Sequence, residues 1–246
     1  MTLTLSKDRK VTNAVSKSGN AVIANSFGLP AGKGFACPGA TSFCERICYA
    51  GKLEKVYKGV KSVLVRNFEA LVYADYLDGI DGMTMLISEA INSFDKECDK
   101  RGADKKFRIH WDGDFFSVDY AHAWARVIKD NPQIQFWVYT RSFTAECDVM
   151  PVISGIDNLT VYLSADPVNV GLANIVAAQY PGTFIATVAD TFAEARETIV
   201  DSARKSYACP ENAKRIPLIT DKGSACVRCG ICVAGRGDVL FSVKKK

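Results

Sequence analysis

Nine cysteines in a chain of 246 residues, seven of them gathered into two groups, constrain this sequence more than any other feature. The number is odd, and the polar start Met1–Val11 is followed by no apolar stretch, so a secretory leader is not expected. No run of about eighteen apolar residues occurs either, so no membrane-spanning helix is expected. A reducing cytoplasm is the expected compartment, and there clustered thiols serve metals more often than disulfides.

The C-terminal group is Cys226-Val-Arg-Cys229-Gly-Ile-Cys232, preceded by Cys209-Pro210. Three thiolates in one C-x2-C-x2-C run suit the corners of a cubane, and a Cys-Pro element accompanies such runs in bacterial ferredoxins. Here the Cys-Pro precedes the run, so Cys209 supplies a fourth ligand if the chain loops back. Zinc is the alternative; it prefers two separated cysteine pairs, although the same four sulfurs offer it a tetrahedron.

The N-terminal group is Cys37, Cys44 and Cys48, a C-x6-C-x3-C set. Three thiolates without a local fourth leave one iron of a four-iron cluster open, and an open metal position is where chemistry happens. A ligand from elsewhere, Cys147 or His110, would close it. Cys98 falls on an apolar helical stripe and reads as a small core residue.

Elsewhere, apolar runs of strand length alternate with stretches of helical period, the pattern of βα units. Expected strands are 21–27, 107–111, 134–140, 159–164, 184–189 and 216–220. Two helices separate the first two strands, carrying Val60, Val63, Leu64, Phe68, Leu71 and Val72, then Ile87, Ile91, Phe94 and Cys98. Later stripes are Tyr120, Ala123, Trp124, Val127 and Ile128; Ile175, Val176 and Tyr180; and Phe192, Ala195 and Ile199. Arg108, His110 and Asp112 alternate with Phe107, Ile109 and Trp111, and later strands likewise pair one polar face with one apolar. A polar inner face predicts an α/β fold, a partial (βα)6 barrel lined for binding, over residues 1–205. A cysteine-rich extension with the last strand follows over 206–246. Asp112, Arg141, Asp166 and Asp190 fall at strand ends, on the rim that carries ligands in such folds.

The three-cysteine loop after the first strand, with Asp112-Gly113-Asp114 ending the second, resembles the radical S-adenosylmethionine superfamily. That superfamily's usual C-x3-C-x2-C is displaced here, with Gly51 in the third position and the third thiol at Cys37. The resemblance implies a TIM-like partial barrel, a [4Fe-4S] cluster whose open iron takes the cofactor, and Gly113 and Asp114 binding the cofactor's amino group. Ser164 and Asp166 are further candidate cofactor contacts. The segments Ser26–Lys33, Cys37–Ala40, Cys48–Gly51 and His110–Ser117 also resemble a family of phage gene products, a likeness that brings no particular activity with it.

Asp112 and Asp114 suit acid/base work or a divalent cation, though an Asp-Gly-Asp sequence equally makes a turn. His110, two residues from Asp112, suits proton donation or ligation, and Arg141 suits a carboxylate or phosphate. These four are the candidate catalytic residues. His122 shares a polar stripe with Arg126 and Lys129 and is expected in solvent. Gly28–Gly34 is one residue short of a phosphate loop and reads as a turn.

The expected function is an iron-sulfur protein with two [4Fe-4S] clusters, S-adenosylmethionine chemistry at the first, and a small molecule or electron donor as partner. A closed redox or regulatory module and a zinc-stabilised nucleic-acid binder are the alternatives. With a net charge of +4 and a compact basic run only at Lys244–Lys246, a large phosphate footprint is not expected.

Overall fold

The computed structural model describes residues 1–217, 219–220 and 223–244. In chain order the elements are β1 (Ser26–Gly28), α1 (Ser42–Ile47), α2 (Tyr49–Val56), α3 (Lys58–Arg101), β2 (Lys106–Asp112), α4 (Val118–Asp130), β3 (Gln135–Thr140), β4 (Phe143–Thr144), β5 (Cys147–Asp148), α5 (Met150–Ile153), β6 (Leu159–Ala165), α6 (Val170–Gln179), β7 (Phe184–Ala189), α7 (Phe192–Glu197), β8 (Ser206–Ala208), β9 (Ile219–Thr220), β10 (Gly223–Ser224), α8 (Ala225–Cys229) and β11 (Asp238–Ser242). The fold is mixed α/β around a seven-stranded sheet of order β1-β2-β3-β6-β7-β11-β8. Every neighbouring pair in that sheet is parallel.

From β1 to β7 the strands succeed one another across the sheet in chain order, with no reversal. Right-handed crossovers that never reverse deposit their helices on one face. On that face Phe107, Ile109, Phe136, Val138, Val161, Leu163 and Ile185 meet Leu71, Ile87 and Ile91 of α3, Tyr120 and Trp124 of α4, and Ala173 and Val176 of α6. The two helical stretches expected between the first strands are one element, α3, whose backbone leaves helical geometry at Asp78 and Gly79. The stripe on α6 is corrected: Ile175 is exposed, and Ala173, Val176 and Ala177 make the buried side.

The opposite face of the sheet is filled, which corrects the expectation of an inner surface open for binding. Trp137 packs with Tyr139, Cys232 and Val233, while Tyr162, Ala186 and Val239 pack with Cys209, Ile231, Cys232 and Phe241. The covering segment takes two of its hydroxyls. Thr160 donates to the carbonyl of Val233 at 3.1 Å, and the Tyr162 hydroxyl lies 3.1 Å from the carbonyl of Gly237.

Three strand expectations shift. The segment 21–25 precedes β1 and is engaged by the N-terminal strap, through bridges of Ser6 to Ser26 and Val15 to Ala21. Residues 219–220 pair antiparallel with 223–224 in a hairpin outside the main sheet, and Leu218 of that expected strand lies outside the described residues. The sheet is completed instead by β11, flanked by β7 and β8, so the described residues from Ser206 onward supply both its last strands and the cover of its inner face. Lys245 and Lys246 of the terminal basic run also lie outside the described residues.

Candidate functional site

Two cysteine groups occupy different places on this frame, one on the rim formed by the C-terminal ends of the strands and one on the inner face. At the rim, the chain leaves β1 through a turn at Gly32 (φ 109°) and enters the cysteine loop. Gly39 permits the loop to seat on the sheet, because a Cβ there would lie 2.0 Å from the carbonyl oxygen of Arg141. The loop then forms α1, N-capped by Thr41, whose hydroxyl accepts the amide of Cys44 at 3.0 Å. Cys48 separates α1 from α2 and caps the latter, its sulfur accepting from the amide of Gly51 at 3.3 Å.

The strand ends beneath this loop are buried and charged. Asp114 accepts from the Thr140 hydroxyl at 2.7 Å, from the Arg141 amide at 2.6 Å and from the Phe115 amide at 2.8 Å. Arg141 extends its guanidinium to Asp166 at 2.7 Å, with both side chains buried. Asp112 accepts from the Gly113 amide at 2.9 Å and leaves its other oxygen buried without a partner. Gly113, at φ 73°, holds the turn against Leu29, whose Cβ a side chain would meet at 2.6 Å. The Asp-Gly-Asp sequence is thus both a turn and part of the rim.

Burial raises the pKa of Asp112 to about 8, with Glu54 adding to the rise, and that of Asp114 to about 6 against the pull of its donors. Glu54 is itself buried and accepts the Ala31 amide at 2.8 Å. All three thiols are raised, first by burial. Asp114 and Asp112 raise Cys37 further, Arg141 pulls Cys44 the other way, and the Gly51 amide does so for Cys48. Cys37, Cys44, Cys48, Asp112, Asp114, Arg141 and Asp166 thus lie near enough at this rim to influence one another electrostatically. Ser164 lies half-buried on β6, which ends one residue before Asp166. A cleft of about 570 Å³ opens beside the loop, lined by Lys33, Thr41, Glu45, Thr144, Glu146 and Asn169 among others. Sequence reading missed it because it forms only where three loops meet.

Three expected members stand apart. His110 is corrected most sharply: it has φ 58° within β2, and the pairing slips so that Ser26 faces Arg108 while Gly28 faces Asp112. That irregularity turns the imidazole onto the helix side, where Nε2 lies 2.9 Å from the Tyr120 hydroxyl and Phe115 packs edge-on. Burial and Arg108 lower its pKa to about 3. Cys147 points its thiol at the carbonyl of Phe115, 3.8 Å away, and is also buried. Asp190 pairs with Lys244 at 2.8 Å, both largely exposed. As expected, Cys98 is buried and His122 exposed.

On the inner face Cys209 and Cys232 pack against Tyr139 and Tyr162, and Cys226 and Cys229 lie near enough to Cys232 to interact with it electrostatically. Cys209 is fixed by its amide donating to Leu240, and Cys226 by its amide donating to Lys10 of the N-terminal strap. Burial, then Cys232, raises Cys226 to about 12, while Arg108 opposes. Burial raises Cys232 to about 12 as well, with Cys209 and Cys229 adding to it. Arg108 reaches Asp8 at 3.3 Å and stacks over Tyr139 at 5.5 Å. Among the described residues no three His, Cys, Asp or Glu side chains are gathered so as to hold a single metal ion.

Comparison with known proteins gives the lineage. The family described as Gene product 88 matches residues 1–235. The Gene 88 protein of Mycobacterium phage L5 is 54% identical over 245 residues, covering 98% of both chains. The Gene 88 protein of Mycobacterium phage D29 is 52% identical over 246 residues, again covering 98% of both. No solved structure matches. The chain belongs to the Gene product 88 family.

Proposed function

We propose that this member of a phage family is an iron-sulfur protein carrying two [4Fe-4S] clusters, with the reactive one at the rim. The observation that carries the reading is the Cys226-x2-Cys229-x2-Cys232 run with Cys209, whose thiols act on one another electrostatically on a buried face near the cation Arg108. Four thiols, with no imidazole among them, match the four corners of a cubane. Because metal binding displaces thiol protons, groups held protonated by burial in the metal-free chain become ligands as the metal enters.

At the rim, Cys37, Cys44 and Cys48 would hold the second cluster with three thiolates. The two side chains best placed in sequence to close it, His110 and Cys147, are turned into the core. A cluster held by three thiolates supplies an exchangeable iron and an electron to a ligand bound there. This chain's own residues favour a cationic ligand: Asp112, Asp114, Asp166 and Glu54 are all buried around the loop, with Arg141 as their buried counter-charge. S-adenosylmethionine, with an ammonium and a sulfonium, has that charge. Gly113 and Asp114 would take its amino group, with Ser164 and Asp166 alongside, while the neighbouring cleft admits a small substrate.

In-order parallel strands with the helices on one face also support the finer fold, a partial TIM-like barrel of radical S-adenosylmethionine type. The inner-face cluster, near Arg108 and enclosed by tyrosines, suits electron relay from a donor protein. The setting is the reducing host cytoplasm.

The test is electron paramagnetic resonance of anaerobically purified, reduced protein with and without S-adenosylmethionine. A rim-cluster signal that shifts on addition, and disappears in Cys44→Ala, is expected. Fully loaded protein whose spectrum ignores the cofactor would instead mark a closed redox module, and stoichiometric zinc in place of iron would overturn the reading.

A further inference from the structure

The outer face of α2 and the first half of α3 carries five exposed cations, Lys52, Lys55, Lys58, Lys61 and Arg66. The single acid between Lys52 and Phe68 is Glu54, and it turns inward to bind the Ala31 amide. Among the described residues none of the five cations forms an ion pair, and no acid other than the inward-turned Glu54 lies between Lys52 and Arg66. The exposed side of this segment therefore carries five positive charges with no outward acid among them.

Aromatic side chains lie within the field. Tyr49 and Tyr57 are exposed at the two ends of α2, and Tyr73 and Tyr76 continue the outward side of α3, Tyr76 being 84% accessible. Helical periodicity puts Lys58, Lys61, Arg66, Tyr73 and Tyr76 on one side of α3. Glu69 is the exposed acid on that side. Unpaired cations interleaved with exposed aromatic rings meet the two requirements of a single strand of nucleic acid: charge for its phosphates and flat faces for its unpaired bases. α2 also begins immediately after Cys48, so the surface runs directly into the rim site.

We propose that α2 and the first half of α3 form a docking surface for single-stranded nucleic acid, which this face holds beside the cysteine loop. The surface goes beyond the cluster reading and stands without it. It was hidden in the sequence because its cations are separated by apolar residues and gather on one side only when the helices are built.

The test is fluorescence anisotropy of the full-length protein with short labelled RNA and DNA single strands of mixed sequence. The matching duplex, phosphatidylserine vesicles and polyglutamate serve as competitors. Single strands are expected to bind and to resist the competitors, and the tighter of RNA and DNA names the source. The combined variant Lys52→Gln, Lys55→Gln, Lys58→Gln, Lys61→Gln should weaken binding at least tenfold. Its dependence of log affinity on log salt should flatten by roughly 0.7 for each phosphate contact removed. Tyr73→Ala with Tyr76→Ala should cost about tenfold while leaving the salt slope unchanged. Unaltered thermal unfolding of these surface variants keeps folding out of the comparison. No binding of single strands at low salt overturns the proposal. So does a quadruple variant that binds like wild type, or competition by vesicles or polyglutamate equal to that of unlabelled strand.

Discussion

The hydroxyl of Thr41 donates to Oδ2 of Asp166 at 2.5 Å, across 125 positions of sequence. The Thr41 hydroxyl oxygen in turn accepts the Cys44 amide, so the cap of the cysteine loop's helix is fastened to the end of β6. Thr41→Val removes both bonds at once and leaves Asp166 one donor short. A lost cap and a lost buried hydrogen bond cost about 1–3 kcal/mol. In metal-free protein Cys44 should then alkylate with iodoacetamide several times faster, with Cys226 unchanged; equal rates at Cys44 would contradict this fastening.

Gly39→Ala tests the seating of the loop by sterics alone. The added methyl would meet backbone, the Arg141 carbonyl, at 2.0 Å, and backbone on both sides has little room to give. A destabilisation of about 2 kcal/mol or more is expected, at the upper end for single substitutions. Urea unfolding reads it directly, and an unchanged midpoint would mean that the loop does not lie on Arg141.

His110 gives a pH signature with a definite sign. Its folded pKa, about 3, lies below the ordinary 6.5, so the unfolded chain takes up the proton first. The stability it confers is fully present above pH 6.5 and is lost as pH falls towards 3, by an amount on the order of 4 kcal/mol. Asn adopts the left-handed backbone at this position more readily than most residues. Stability of His110→Asn should therefore fall less steeply than wild type between pH 6.5 and 4; parallel curves would place a protonatable imidazole in solvent.

Asp238 holds the C-terminal strands to the sheet. It is buried, pairs with Arg204 through both oxygens at 2.7 Å, and accepts the Ile185 amide at 2.7 Å. Asp238→Ala strands a buried amide and a partly exposed guanidinium, which costs about 1–3 kcal/mol. Cys209, Cys226, Cys229 and Cys232 depend on β11 and should become alkylatable, while the rim cysteines stay protected longer. Simultaneous exposure of both groups would show that the two sites unfold as one.

Much of the frame was legible in the sequence. The strands from 107 to 189 were readable as apolar runs of strand length between stretches of helical period, and the rim followed from charged residues at their ends. What escaped has local causes. One left-handed residue inside β2 reversed His110 and broke the alternation on which its role rested. β11 is a short run, Asp238–Ser242, behind a glycine-rich stretch, so the last strand was sought too early, at 216–220. The inner face reads as polar in sequence, and only the covering segment shows that two of its hydroxyls are taken by the carbonyls of Val233 and Gly237. Both cysteine groups, by contrast, were visible at once, since their close spacing stands out in the sequence.

The most direct measurement of the central claim is the iron and acid-labile sulfide content of anaerobically prepared protein, compared with Cys44→Ser/Cys48→Ser and Cys226→Ser/Cys229→Ser. Two four-iron clusters predict about eight iron and eight sulfide per chain, falling to about four of each in either double variant. Iron that is unchanged in one of the double variants, or replaced throughout by zinc, would contradict the assignment of a cluster to each cysteine group.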